Sequence, residues 1–188
     1  MIVRFLRLAC LILIPTALSE TALATLIQVM DWEDLVERSP MIVVAEVQSR
    51  DAHWDDRSRI VTDVTLQVTQ HLRGATAAGG MIQVRCLGGS VGDVAMHVEG
   101  EPSFEASEYL LFAYRDSENH WRTTGMSQGV MEIDRRSGEP FVIPGGGGLA
   151  LTQRVGGRLA PAQAALTKPT PMREVLTRVR SSISREGD

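Results

Sequence analysis

The sequence predicts a mainly β protein, a small OB-like β-barrel of about six strands with a short N-terminal helix and a C-terminal amphipathic helix. Three observations predict it. Apolar and polar residues alternate through several short runs, the period of a half-buried strand. Glycine-rich turns separate those runs. Helical spacing of apolar residues is confined to the two ends of this region. A sandwich is the other way to bury such strands.

Residues 31–38 read as the first helix. Asp31, Glu33 and Asp34 crowd its first turn, Arg38 sits in its last, and Pro40 prevents continuation. Leu35 and Val36 are expected to face the core. Residues 41–47 are a largely β-branched run expected to be buried on both faces. Residues 59–72 alternate, with Ile60, Thr62, Val64, Leu66 and Val68 on one face. Val61, Asp63, Thr65, Gln67 and Thr69 take the other. A small-residue turn follows at 75–80, and residues 81–87 alternate again with Ile82, Val84 and Cys86 inward. Further strands are expected at 94–98, 109–114, 120–124, 130–133 and 141–143. Pro144 and the glycines at 145–148 mark a hinge, and 144–169 reads as a Gly/Ala/Pro-rich connection. The last element is a helix over 170–185 with Pro171 early in it. Met172, Val175, Leu176, Val179 and Ile183 line one side, so it is expected to dock on the barrel.

Residues 1–24 have the pattern of a secretory signal peptide. Arg4 and Arg7 lead an apolar stretch, and Ala22-Leu23-Ala24 offers the small side chains a signal peptidase accepts. Cys10 precedes the apolar stretch rather than following it, which argues against a lipid anchor. Cleavage after Ala24 would leave Cys86 as the single cysteine and the domain at 25–143 ahead of its connection and helix. The protein is therefore expected in the periplasm or the outside medium, with no stable membrane span after cleavage.

Net charge is -4 and only 5% of residues are aromatic, which leaves nucleic acid without electrostatic or stacking support. No cofactor and no metal is expected. His53, His71, His97 and His120 are scattered without an H-x-x-x-H pair, and Cys86 has no Cys-x-x-Cys partner. Gly88-Gly89-Ser90-Val91-Gly92 matches G-x-S-x-G, but a nucleophile elbow needs a strand turning into a helix. The residues after it alternate instead. His97 or His71, oriented by Asp93 or Asp63, would be the base if Ser90 were a nucleophile. Asp51, Asp55 and Asp56 form an acidic loop with His53 and Trp54, which lacks calcium-loop spacing and is expected to be a solvated hairpin tip. Trp54, set among polar residues, is expected to be exposed, with Trp32 and Trp121 covering the barrel's ends. Cys86 is expected to be an inert core thiol.

The runs Met41-Ile-Val-Val-Ala-Glu-Val47, Thr62-Asp-Val-Thr-Leu-Gln-Val68 and His71-Leu-Arg-Gly74, with Ser107-Glu-Tyr-Leu-Leu-Phe112 later, carry a resemblance. Across about 34–134 the chain resembles netrin-like domains, the module found in tissue inhibitors of metalloproteinases, and also exported bacterial proteins with this order of elements. The resemblance implies an OB-like barrel and a role in binding another exported protein. Metalloproteinase inhibitors of this kind chelate the protease zinc with an N-terminal cysteine. A chain beginning Thr25-Leu26-Ile27 has none, so that device is not carried over.

The sequence thus points to an exported, non-catalytic module that contacts another exported protein, a protease among the partners the resemblance suggests. Its candidate contact residues are Trp54, Asp55 and Asp56 with the turn Gly88, Gly89, Ser90 and Gly92. A serine hydrolase using Ser90 and an envelope-associated structural protein are the rivals.

Overall fold

The structure is a computed structural model that describes residues 26–146 and 149–186. The segment 1–24, expected to be a signal peptide, and Gly147 and Gly148 of the expected hinge lie outside the described residues.

Strand β1 (Leu26–Gln28) comes first, then helix α1 (Trp32–Glu37), whose N-terminus is capped where the Asp31 carboxylate accepts the Asp34 N–H at 2.8 Å. The strands β2 (Met41–Trp54), β3 (Ile60–Arg73) and β4 (Met81–Leu87) form an antiparallel meander with β3 in the middle. A small hairpin, β5 (Gly89–Val91) and β6 (Val94–Met96), precedes β7 (Glu108–Arg115) and β8 (Trp121–Thr123). Beyond a single 3-10 turn lie β9 (Val130–Asp134), β10 (Phe141–Val142) and the hairpin β11 (Ala150–Val155) and β12 (Arg158–Pro161). The short β13 (Thr170–Pro171) leads into helix α2 (Met172–Glu186).

The main sheet runs β13-β10-β9-β7-β2-β3-β4-β8, and β8 pairs back onto β7. Five strands therefore close a barrel in which only the β4–β8 pair is parallel. This is the five-stranded Greek-key barrel of the OB type. The expectation of about six strands becomes five because β7 divides one edge. Residues 109–111 pair with β9 and residues 113–115 with β8, so β9 and β10 extend outward instead of closing the ring.

Packing explains the run that is apolar on both faces. From β2, Met41, Val43 and Ala45 point into the barrel with Leu66, Ile82, Val84, Leu111 and Phe104. The intervening Ile42 and Val44 point outward, where α1 and α2 cover them with Trp32, Leu35, Val175 and Val179. The apolar stripe of α2 is thus spent on the sheet, as its spacing predicts. No helix among the described residues is long and apolar enough to cross a membrane.

Two expectations are corrected. The second strand runs through Trp54, so Asp51 and His53 are strand residues and the hairpin tip is confined to residues 55–59. Its polar half holds no apolar alternation, and cross-strand pairing with β3 alone keeps it extended. The stretch 144–169, read as a connection, contains the β11–β12 hairpin, to which β1 adds in parallel. Buried Gln128 ties that layer down, since its Oε1 accepts the Met30 N–H at 3.0 Å and its Nε2 donates to Gln28 O at 3.1 Å.

Candidate binding cleft

The barrel strands β2 and β3 continue past the core as a two-stranded arm, and the β7–β8 turn rises beside it. Between arm and turn lies an open cleft of about 650 Å³. Arg85 and Leu87 of β4 line it, and the register sets the buried Asp63 of β3 directly opposite Arg85. The pair is bidentate, with Arg85 Nε to Asp63 Oδ1 and Nη2 to Oδ2 both at 2.7 Å. Burial works to raise the Asp63 carboxyl. The Arg85 hydrogen bonds and charge outweigh it and hold the group below its usual range.

Two histidines meet at this pair. His53 Nε2 lies 3.7 Å from Asp63 Oδ2, and His120 Nε2 lies 3.0 Å from Arg85 Nη1. A guanidinium only donates, so His120 Nε2 accepts and the neutral ring carries its proton on Nδ1. That proton faces Asp116 Oδ1 at 3.7 Å and Glu118 Oε2 at 3.9 Å. Asp116, Glu118 and His120 offer ligand atoms within 4.8 Å of one another. Apart from Asp116 Oδ2, their donor atoms are already engaged. Asp116 Oδ1 accepts the Glu118 and His120 N–H groups, each at 2.9 Å, Glu118 pairs with Arg57, and Arg85 occupies the ring's lone pair.

The Arg57–Glu118 ion pair bridges the two loop tips across the cleft. At the lips stand Trp54, 48% exposed, and Tyr114, 39% exposed. Asp55 is consumed by its own turn. Its Oδ1 accepts the Arg57 and Arg59 N–H groups at 2.9 and 2.8 Å, and its Oδ2 pairs with Arg59. Those bonds, the Arg59 backbone first, lower its carboxyl to about 2. Asp55 shapes the tip and has no free carboxylate for a ligand; Trp54 and Asp56 are the exposed members of the trio.

The other candidate residues lie apart from this cleft. Gly88 and Gly89 line a separate cavity of about 130 Å³, with Thr62, Cys86 and Glu101. Their role is steric. Gly88 has φ +98, and a Cβ on it would lie 2.7 Å from Met96 O. Gly89 has φ +128, and a Cβ there would overlap Thr62 Oγ1. Ser90 stands exposed in β5, paired with Ala95 across the hairpin, so the strand-to-helix elbow is replaced by a β-turn at Gly92. His97, the nearest base in sequence, pairs with Glu99 at 3.4 Å, while His71 sits 2.6 Å from Gly74 O in its own turn. It is His53 and His120 that converge on the Asp63–Arg85 pair.

Trp32 is buried between α1, α2 and the sheet, with Phe112 6.1 Å away and the Arg178 guanidinium over its ring. It covers no barrel end, which corrects the expectation. Trp121 closes the barrel through its pairing with Val84, its ring under Arg115. Cys86 is buried in the barrel, and burial pushes its thiol up to about 12.

Arg85, Tyr114 and His120 went unrecognised as cleft residues, and Asp63 as the buried partner of Arg85. A usable signal existed for two of them, since the 74–80 turn between two alternating strands fixes a register that faces Asp63 with Arg85. No protein-family model matches the chain, nor does any curated protein or any solved structure.

Proposed function

We propose that this chain is an exported, non-catalytic binding module that grips another exported protein with the cleft between the β2–β3 arm and the β7–β8 turn. The observation that carries this reading is the pair of exposed aromatics, Trp54 and Tyr114, at the lips of a preformed concavity. Large aromatics of this kind supply most of the energy in protein interfaces, because they bury much area with few rotamers to freeze. The ion pairs at the cleft keep the concavity open by tying β3, β4 and both loop tips to one another. Pre-organisation of that sort lowers the entropic cost of association.

Export is supported by the signal pattern of residues 1–24, and the netrin-like resemblance makes an exported protease the first partner class to test. The Gly88–Gly92 turn serves the fold in this reading, not the contact. The test is capture of the organism's exported proteins on the tagged protein, in parallel with Trp54→Ala. One stoichiometric partner, retained by the parent and lost by a Trp54→Ala variant with unchanged melting temperature, is expected. Equal capture by both would refute the cleft as the contact surface.

A further inference from the structure

Every arginine lining the cleft has a carboxylate of its own. Arg57 pairs with Glu118, Arg59 with Asp55, Arg85 with Asp63 and Arg122 with Glu101. The carboxylates are not balanced in return. Asp56 is exposed at the arm's tip, with no hydrogen bond or ion pair among the described residues. Asp116 accepts two backbone N–H groups, the His120 ring lies 3.7 Å away, and no guanidinium lies within ion-pair distance of it among the described residues. Asp56 and Asp116 are thus carboxylates without a guanidinium partner among the described residues, in a cleft that Trp54 and Tyr114 also line. An aromatic face attracts a cation through its quadrupole, and a carboxylate beside it adds the opposite charge. A metal ion fits this set poorly, because Glu118 is already taken by Arg57 and His120 shows the carboxylates a protonated nitrogen.

We infer that the cleft receives a basic side chain, an arginine or lysine projecting from a loop of the partner protein. The inference rests on the binding-module reading and gives that partner its chemistry. Trp54 and Tyr114 cover the apolar stem and face the cationic head, and Asp56 and Asp116 neutralise it. Discrimination follows from the same arrangement, since an acidic side chain would meet two unpaired carboxylates.

The test uses the purified protein, labelled so that the three indole N–H resonances are resolved, with Trp54 assigned by Trp54→Phe. It is titrated separately with N-acetyl-Ala-Arg-Ala-amide, the matching Glu peptide and a neutral oligosaccharide. The arginine peptide is expected to move the Trp54 signal saturably, less so as salt rises, while Trp32 stays still. Asp56→Asn and Tyr114→Leu are each expected to weaken it by about five- to tenfold. An equal response to the glutamate peptide, a salt-independent response to the sugar alone, or no saturable response to arginine would overturn the inference. Partner capture separates the two failures. Loss on Trp54→Ala with full retention by Asp56→Asn/Tyr114→Leu would leave the binding reading standing and remove the basic side chain. Retention by all three variants would remove the binding reading itself.

Discussion

Phe104 occupies the centre of the barrel although it comes from a loop. It is 1% exposed, packs edge-on against Tyr109 with ring centroids 5.0 Å apart, and touches the strand residues of the barrel core. Its backbone is left-handed, at φ +55, a conformation costing a residue with a Cβ roughly 1–2 kcal/mol. Arg50 from β2 holds it there, its Nε donating to Phe104 O at 2.8 Å. Phe104→Ala removes the ring and keeps the backbone cost, so it should destabilise by about 3–5 kcal/mol. Phe104→Gly leaves the same void with little more lost volume and relieves the left-handed strain. In most cores glycine is the worse replacement; here it should be better than alanine by about 1 kcal/mol. Urea unfolding followed by tryptophan fluorescence reads both variants at matched slope. With a slope of about 2 kcal/mol/M, Phe104→Ala should lower the midpoint by about 2 M and Phe104→Gly by about half a molar less. Glycine equal to or worse than alanine would refute the claim that the loop is strained at this residue. A loss below about 1 kcal/mol in both would refute Phe104 as the barrel's plug.

Cys86 should resist iodoacetamide at pH 8 in the native protein and react once urea unfolds it. Its thiol is raised to about 12 by burial, so that stability is complete below about pH 8.5 and falls as pH climbs toward 12, a loss that Cys86→Val should flatten. Asp63→Asn should cost about 1.5–3 kcal/mol in denaturant unfolding, the range reflecting an Arg85 side chain that keeps 20% of its exposure. The Asp63 carboxyl lies below its usual value, so its contribution is present above about pH 4 and disappears as pH falls through the folded value; the variant should lose less stability over that interval. Gly89→Ala should cost at least about 2 kcal/mol, and adding Thr62→Ala should recover only part of it, because the overlap disappears while φ +128 remains. Full recovery in the double variant, measured by thermal unfolding, would show that the overlap alone mattered.

The barrel's strands were legible because each buries one face. The alternation of Ile82, Val84 and Cys86 gives β4 its bounds and its inward side, and the unbroken run at 41–45 announces a strand covered on both faces. The hairpin of β11 and β12 was illegible for the opposite reason. Its residues are mostly exposed, and it is joined to the fold by pairing with β1, more than a hundred residues away. Closure by five strands depends on how β7 shares an edge, which no local pattern encodes.

The candidate cleft divides in the same way. Trp54 in a polar setting was readable as an exposed aromatic, and so was Cys86 as a core thiol. Asp55 looked like its neighbour Asp56, and only the turn geometry separates a carboxylate spent on Arg59 from a free one. His53, Asp63, Arg85 and His120 looked like isolated polar residues on strand faces and in a turn. Composition and periodicity, which act within a few residues, determined that this chain makes a β-barrel flanked by two helices. Strand register and barrel closure, which act between residues tens of positions apart, decided which polar side chains share one cleft and which of their charges remain unpaired.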